Sequence, residues 1–398
     1  MNSHEAILLL VISIGAFIIP FISKRLSLPS AVGEILFGLI IGIYFRENFH
    51  EGSMEIVKFL GELGFIILMY LAGLEIDFEK IKITPKRDLF LYLLLLSIIV
   101  SLSFWIIQYL NQPPIYALIY LTVGVGLLFS VLKDTNLLKT NLGQSLLIIA
   151  SIGEVISLMF ITFFSVYYKY GLTKEMFIHI LEIYLFFSIV IVAIKIVKTI
   201  TWWYPNIAKI LLKTGDPSEI GLRANFMNMF VFVAMASIVQ LEPIIGAFMG
   251  GMLVALIFKD REHIEKKLSS LGYGFLIPIF FIEVGLSFDI FQFLNMEIIE
   301  SALMLTLIIF LIRFAASVIL LFTNLSKLSL IFVPLGLSIP LTLLVAIAKI
   351  GLEAHIITEK DASVIVLTAI LTGLIYPWLF KMIAKSFMKM RKNYEEGE

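Results

Sequence analysis

Thirteen apolar blocks, each close to the length that crosses a bilayer, set what this chain can fold into. A hydrocarbon core about 30 Å thick takes roughly 20 helical residues, and the chain supplies uninterrupted runs such as "LFLYLLLLSIIVSLSFWIIQYL" at 89–110. The blocks fall near 6–22, 29–44, 55–73, 89–109, 115–132, 142–168, 176–194, 220–238, 243–258, 272–286, 298–322, 328–348 and 362–380. A backbone in lipid must satisfy its own hydrogen bonds, so these are helices or barrel strands. Continuous blocks of this length are helices, because barrel strands alternate over about ten residues. The expected fold class is therefore an all-α integral membrane protein with 13 transmembrane helices.

Composition narrows the function. At 60% hydrophobic and 15% charged residues, the chain has more apolar surface than a soluble core needs. Net charge is zero and no basic tract suggests nucleic acid. The absence of cysteine excludes disulfides, thiolate metal sites and thiol nucleophiles, and the five histidines (4, 50, 179, 263 and 355) are scattered. No resident cofactor and no enzymatic chemistry are expected. The first block has neither a basic leader nor a small-residue cleavage site, so it reads as a retained helix.

Lysine and arginine counts orient the helices, since short positive loops stay cytoplasmic. Of the 30 basic residues, 23 fall on one side, including Lys24, Arg25, the "EKIKITPKR" loop and the tail from Lys381 to Lys392; six fall on the other. This places the N terminus outside and the C terminus in the cytoplasm of a cell whose plasma membrane the chain spans. The remaining one, Arg313, lies inside the eleventh block.

The sequence also repeats. "AVGEILFG" (31–38) returns as "IIGAFMGG" (244–251), and "FIILMYLAGLEID" (65–77) as "FLIPIFFIEVGLSFD" (275–289), at offsets of 213 and 212 residues. Seven helices separate the copies, so the second crosses in the opposite sense. Inverted-topology repeats of this kind build many secondary transporters, whose sites lie where the halves meet. The same offset pairs the fifth block, with Gly124 and Gly126 at mid-span, with the twelfth, with Pro334, Gly336 and Pro340; Thr122, Ser130, Ser338 and Thr342 are nearby. Glycine and proline free backbone groups from the helix ladder, which a membrane tolerates only beside protein or a wet cavity. Matched interruptions predict two crossed, broken helices facing one site.

Intramembrane charges then rank by depth. Glu34, Glu62, Glu182 and Glu283 lie within roughly 5–10 Å of a helix end, where snorkelling serves them, although Glu283 is also a candidate ion-pair partner for Arg313. Glu154, in "LLIIASIGEVISLMF" (146–160), lies roughly 18 Å from the cytoplasmic end of its helix and Arg313 roughly 14 Å from the same side. Charges at mid-membrane mark ion or proton pathways by default; the competing reading of this pair is a structural ion bridge. Ser151 and Ser157 stand three residues either side of Glu154. Carboxylate, hydroxyl and free carbonyl oxygens together suit an alkali cation, and the same carboxylate can take a proton.

The runs "LPSAVGEILFGLIIG" (28–42), "LGELGFIILMYLAGLEIDFEKIK" (60–82), "LKDTNLLKTNLGQSLLIIASIGEV" (132–155) and "PIFFIEVGLSFD" (278–289) together resemble the bacterial monovalent cation:proton antiporters, the sodium/proton and potassium/proton exchangers whose branch includes potassium efflux systems. The resemblance spans essentially the whole chain. It implies a sodium/proton antiporter-like fold, a core domain (86–170 and 293–398) moving against a dimerisation scaffold (1–85 and 216–292), a linker helix (171–215) and a homodimer in lipid. Its ligand-gated members carry a C-terminal regulatory domain; the tail "KMRKNYEEGE" is too short for one.

Carried over by position, the family's paired acids fall on Gly153 and Glu154, so the first acid is missing. That favours one proton per cation and electroneutral exchange. The family's basic residue falls on Arg313, and its broken-helix threonine on or next to Thr122. The resemblance therefore implies that Glu154, Ser151 and Thr122 hold Na⁺ or K⁺ and that Arg313 balances Glu154 or Glu283. A cation channel or membrane sensor on the same scaffold is the alternative. Organic-anion symport fits less well, since one arginine beside one acid leaves little surplus positive charge.

Overall fold

A computed structural model describes residues 3–26, 28–48, 55–171, 173–204, 219–239, 241–258, 261–288, 295–323, 325 and 327–395. The helices are α1 (Ser3–Arg25), α2 (Ser30–Asn48), α3 (Glu55–Glu75), α4 (Phe78–Ile83), α5 (Lys86–Tyr109), α6 (Ile115–Leu121), α7 (Gly126–Asp134), α8 (Asn141–Tyr170) and α9 (Lys174–Trp203). They continue as α10 (Ile220–Ile238), α11 (Pro243–Ile257), α12 (Glu262–Leu271), α13 (Ile277–Ser287), α14 (Met296–Ser317), α15 (Ser329–Leu337), α16 (Leu341–Glu353) and α17 (Glu359–Glu395). No strand occurs among the described residues.

Eleven helical stretches among these residues are long and apolar enough to cross a membrane, and Ser30–Ile43 and Pro243–Ile257 form two shorter apolar helices. The chain is thus an all-helical, multi-pass membrane protein. The tenth block, expected over 272–286, starts earlier. A π turn over Gly272–Leu276 joins α12 to α13 as one stretch from Glu262 to Ser287. Hydropathy hides that start, because α12 opens with "EHIEKK".

By packing, the chain divides into two compact units: Met1–Ser23, Gly33–Phe78 and Ser165–Phe288 form the first, and Lys24–Val32, Glu79–Phe164 and Asp289–Glu398 the second. The domain boundaries expected at 215, 216, 292 and 293, and the end at 398, lie outside the described residues.

In the first unit, α3 packs on α11 and α13, and α10 on α11. Glycine makes the closest approaches possible. A Cβ at Gly73 would lie 2.2 Å from the Phe248 carbonyl oxygen, and one at Gly251 2.1 Å from that of Tyr70. The counterparts recur at the repeat offset. A Cβ at Gly285 would lie 2.2 Å from the Ile35 oxygen, and one at Gly38 2.2 Å from that of Ile282. A buried polar cluster fastens α10 to this pair: Tyr70 donates to Asn225 Oδ1 (2.8 Å), and Asn228 Nδ2 to the Gly250 carbonyl (2.9 Å).

In the second unit, α14 packs on α5, α15 and α17, α16 on α17, and α5 on α6. Tyr376 of α17 donates to the Thr306 carbonyl of α14 (2.6 Å), which fixes the helix that carries Arg313.

Because backbone cannot yield as a side chain can, Gly251→Ala should force α3 and α11 apart. Overpacking of this kind costs about 1–3 kcal/mol. Purified Gly251→Ala should melt at a lower temperature than the parent in detergent; equal melting temperatures would contradict the contact.

Candidate functional site

Two helices of the second unit stop in mid-span and resume. Helix α6 ends at Leu121, Thr122 turns to an extended conformation (φ −63°, ψ 126°), and helix returns at Gly126. Likewise α15 ends at Leu337, residues 338–340 are non-helical, and α16 starts after Pro340. Proline has no N–H to extend the ladder. The breaks meet: a Cβ at Gly124 would lie 3.6 Å from Pro340 Cα. Gly126, where α7 begins, has nothing within 4 Å of its Cβ position, and Pro334 lies inside α15.

Carbonyls freed at the breaks are gathered by one side chain. Arg313, wholly buried on α14, donates from Nε to Leu337 O (3.0 Å), from Nη1 to Tyr120 O (2.9 Å) and Ile309 O (2.8 Å), and from Nη2 to Thr122 O. The planar fork reaches both breaks at once, a geometry that lysine lacks. The sequence pointed instead to a carboxylate partner, Glu154 or Glu283. Among the described residues Arg313 makes no ion pair. The C-terminal ends of α6 and α15 carry partial negative charge and unmet acceptors, and these take its donors.

Glu154, on α8, is 1% exposed. Its carboxylate faces the Val125 backbone of the first break, and its Oε2 is buried without a hydrogen bond. Next to it, Ser157 Oγ accepts from the Val123 N–H (2.9 Å) and donates to Gly153 O (2.7 Å). Ser157 of α8 thus satisfies backbone that α6 can no longer serve. A Cβ at Gly153 would press on Val123 Cβ (3.0 Å) and Leu96 Cδ2 (3.1 Å), so a second acid there would have to displace both.

Of the other residues singled out from sequence, Thr122 donates its hydroxyl to Leu118 O and its carbonyl serves Arg313. Ser151 is buried one turn before Glu154. Glu283 belongs to the first unit, where it lies against Gly61 of α3 and accepts from Ser287 Oγ (3.3 Å). The structure therefore brings together Glu154, Thr122, Gly124, Pro340 and Arg313. It adds two hydroxyls of the second break. Ser338 Oγ is buried without a hydrogen bond, and Thr342 Oγ1, like Glu154 Oε1, lies 3.9 Å from the Cβ position of Gly124. The sequence marked Ser157 as a hydroxyl three residues after Glu154, and Thr342 only as a polar residue near a break.

Such a site offers hard oxygen donors and one titratable carboxylate at the crossing of two broken membrane helices, which is the equipment of an ion carrier. The chain belongs to the sodium/hydrogen exchanger family, whose transmembrane model matches residues 12–386. It is 30% identical over 401 residues to a protein of Methanocaldococcus jannaschii provisionally named as a Na⁺/H⁺ antiporter, covering 96% of this chain and 97% of that one. It is 29% identical over 400 residues to a Bacillus subtilis protein, YjbQ, also provisionally named as one. That match takes in 95% of this chain but 63% of the relative's length. In fold it resembles the sodium proton antiporter MjNhaP1 of M. jannaschii, with a TM-score of 0.64 at 18% identity over 96% of this chain and 97% of the other.

Arg313→Ala should leave the Tyr120, Thr122 and Leu337 carbonyls unpaired in an apolar interior. At about 1–3 kcal/mol for each buried orphan, the melting temperature in detergent should fall by far more than for Arg313→Lys, which keeps part of the donor set. Equal stability of Arg313→Ala and the parent would remove the arginine from this role.

Proposed function

We propose that the protein is a secondary active antiporter exchanging a monovalent cation, Na⁺ or K⁺ with Na⁺ favoured, for H⁺ across the plasma membrane by alternating access. The observation that carries this reading is Glu154: a wholly buried carboxylate with one oxygen unbonded, at the meeting point of two broken helices. Ionised, it offers that oxygen to a cation; protonated, it is neutral and needs none. Family membership and the likeness to named Na⁺/H⁺ antiporters support the same reading. Exchange is electroneutral in this proposal, because Gly153 replaces a second acid and a single carboxylate swaps one proton for one cation. Arg313 holds the broken helices together and keeps the local potential positive.

The scaffold of the proposal has 13 helices in inverted repeats. The two shorter apolar helices beside the eleven longer stretches support that count, and the glycine contacts of the first unit, recurring at 212 and 213 residues, support the repeat. Residues 86–170 and 293–398 would move as the core against a scaffold of 1–85 and 216–292, with 171–215 as linker, in a homodimer. The 23-to-six division of basic residues supports an N terminus outside and a cytoplasmic C terminus.

Proteoliposomes holding a pH gradient test the function. Adding Na⁺, K⁺ or Li⁺ should drive proton movement, and a proton gradient should drive the cation uphill, which a channel cannot do. Glu154→Gln should abolish exchange while the protein still folds and inserts. Substantial cation-driven proton movement by that variant would refute the assignment.

Competition for one carboxylate also has a sign. As pH falls below the pKa of Glu154, protons occupy the site, so apparent cation affinity should weaken about tenfold per pH unit and level off at higher pH. Affinity indifferent to pH would mean separate sites. A clamped membrane potential should leave the exchange rate unchanged, and a current that reverses with voltage would contradict electroneutrality.

A further inference from the structure

We infer that Thr342, on the second broken helix, is a direct ligand of the transported cation, and that Gly124 is kept free of a side chain so that the ion can sit between Thr342 Oγ1 and the Glu154 carboxylate. This inference rests on the reading of Glu154 as the cation-binding acid.

Hydroxyls inside membrane helices normally donate to the carbonyl four residues back. Thr122, Thr162, Thr306 and Thr368 all do so, to Leu118, Leu158, Ala302 and Val364. Thr342 does not, although it is only 8% exposed. It follows Pro340 in the first turn of α16, and its hydroxyl has no hydrogen-bond partner among the described residues. A polar group left unbonded inside a membrane protein is costly unless something else uses it.

What it borders is specific. Beyond its chain neighbours, the three atoms nearest the Cβ position of Gly124 are Pro340 Cα at 3.6 Å, Glu154 Oε1 at 3.9 Å and Thr342 Oγ1 at 3.9 Å. One point beside the first break therefore sees an acid oxygen from α8 and a hydroxyl oxygen from α16 at the same distance. Oxygen donors from different elements converging on one point are what a hard cation requires, and a hydroxyl has lone pairs to give it. The two breaks thereby gain a joint role: the first clears the space and the second turns a hydroxyl into it. Ser338 Oγ, also buried and unbonded in the second break, keeps that break polar.

Gly124 supplies a sharp test, because a methyl there would meet its neighbours at ordinary van der Waals distances. Gly124→Ala should fold and melt as the parent does, yet occupy the ion's place. Parent, Gly124→Ala, Thr342→Val and Thr342→Ser are compared in two assays. One is the apparent Na⁺ constant for proton movement in proteoliposomes; the other is the rise in melting temperature on adding NaCl against choline chloride at alkaline pH in detergent.

Gly124→Ala and Thr342→Val should weaken the cation constant on the order of 10- to 100-fold, the usual range for losing a group that shapes a metal site, and lose the Na⁺-specific stabilisation. Thr342→Ser, which keeps the hydroxyl, should stay near the parent. Should Thr342→Val fail to fold, Gly124→Ala and Thr342→Ser decide by the same criteria. Parent-like cation constants in folded Thr342→Val or Gly124→Ala overturn the ligand assignment while leaving the antiporter reading intact. A parent that neither exchanges nor is stabilised by Na⁺ or K⁺ brings down the antiporter reading and the ligand assignment with it.

Discussion

Carbonyl oxygens freed from a helix ladder inside a membrane are the constraint on which the second unit depends. Water cannot serve them there, and two interrupted helices meeting in one place concentrate the problem. Arg313 resolves it by binding Tyr120 O and Thr122 O from one broken helix, Leu337 O from the other and Ile309 O from its own. A guanidinium used in this way is a structural clamp that also leaves a positive charge buried beside both breaks. Since its donors go to backbone, Arg313 forms no direct ion pair with Glu154. The acid keeps one oxygen unbonded, which is the condition for exchanging a cation against a proton at a single group.

The rest of the crossing is tied to α8. Ser157 accepts from the Val123 N–H, so the helix carrying the acid also holds the first break in shape. The extended stretch at 122–125 is thereby fastened to α8. In the first unit, by contrast, helices meet backbone to backbone through glycines.

Much of this was legible in the sequence. Apolar block length marked the helices, Gly124 and Pro340 marked the breaks that Gly126 and Pro334 flank, and depth alone singled out Glu154 and Arg313. What stayed hidden has a common physical origin. Hydrogen bonds from a side chain to backbone carbonyls leave no trace in the residue type of the acceptor, so the true partners of Arg313 could not be read, and a carboxylate was the natural guess. Thr342 resembles Thr306 or Thr368 as a letter, and only the geometry separates a hydroxyl that bonds its own helix from one that does not. The early start at Glu262 was masked because a helix can lead into the membrane through a charged, amphipathic turn.

Proton release on cation binding tests the central claim most directly. Na⁺ or K⁺ is added to the detergent-solubilised protein in weak buffer, below the pH at which cation affinity levels off, and released protons are read with an indicator dye. If one carboxylate holds either ion, release should approach about one proton per bound cation, fall away at higher pH as the acid ionises beforehand, and vanish in Glu154→Gln. Cation binding that releases no proton at any pH would contradict the account.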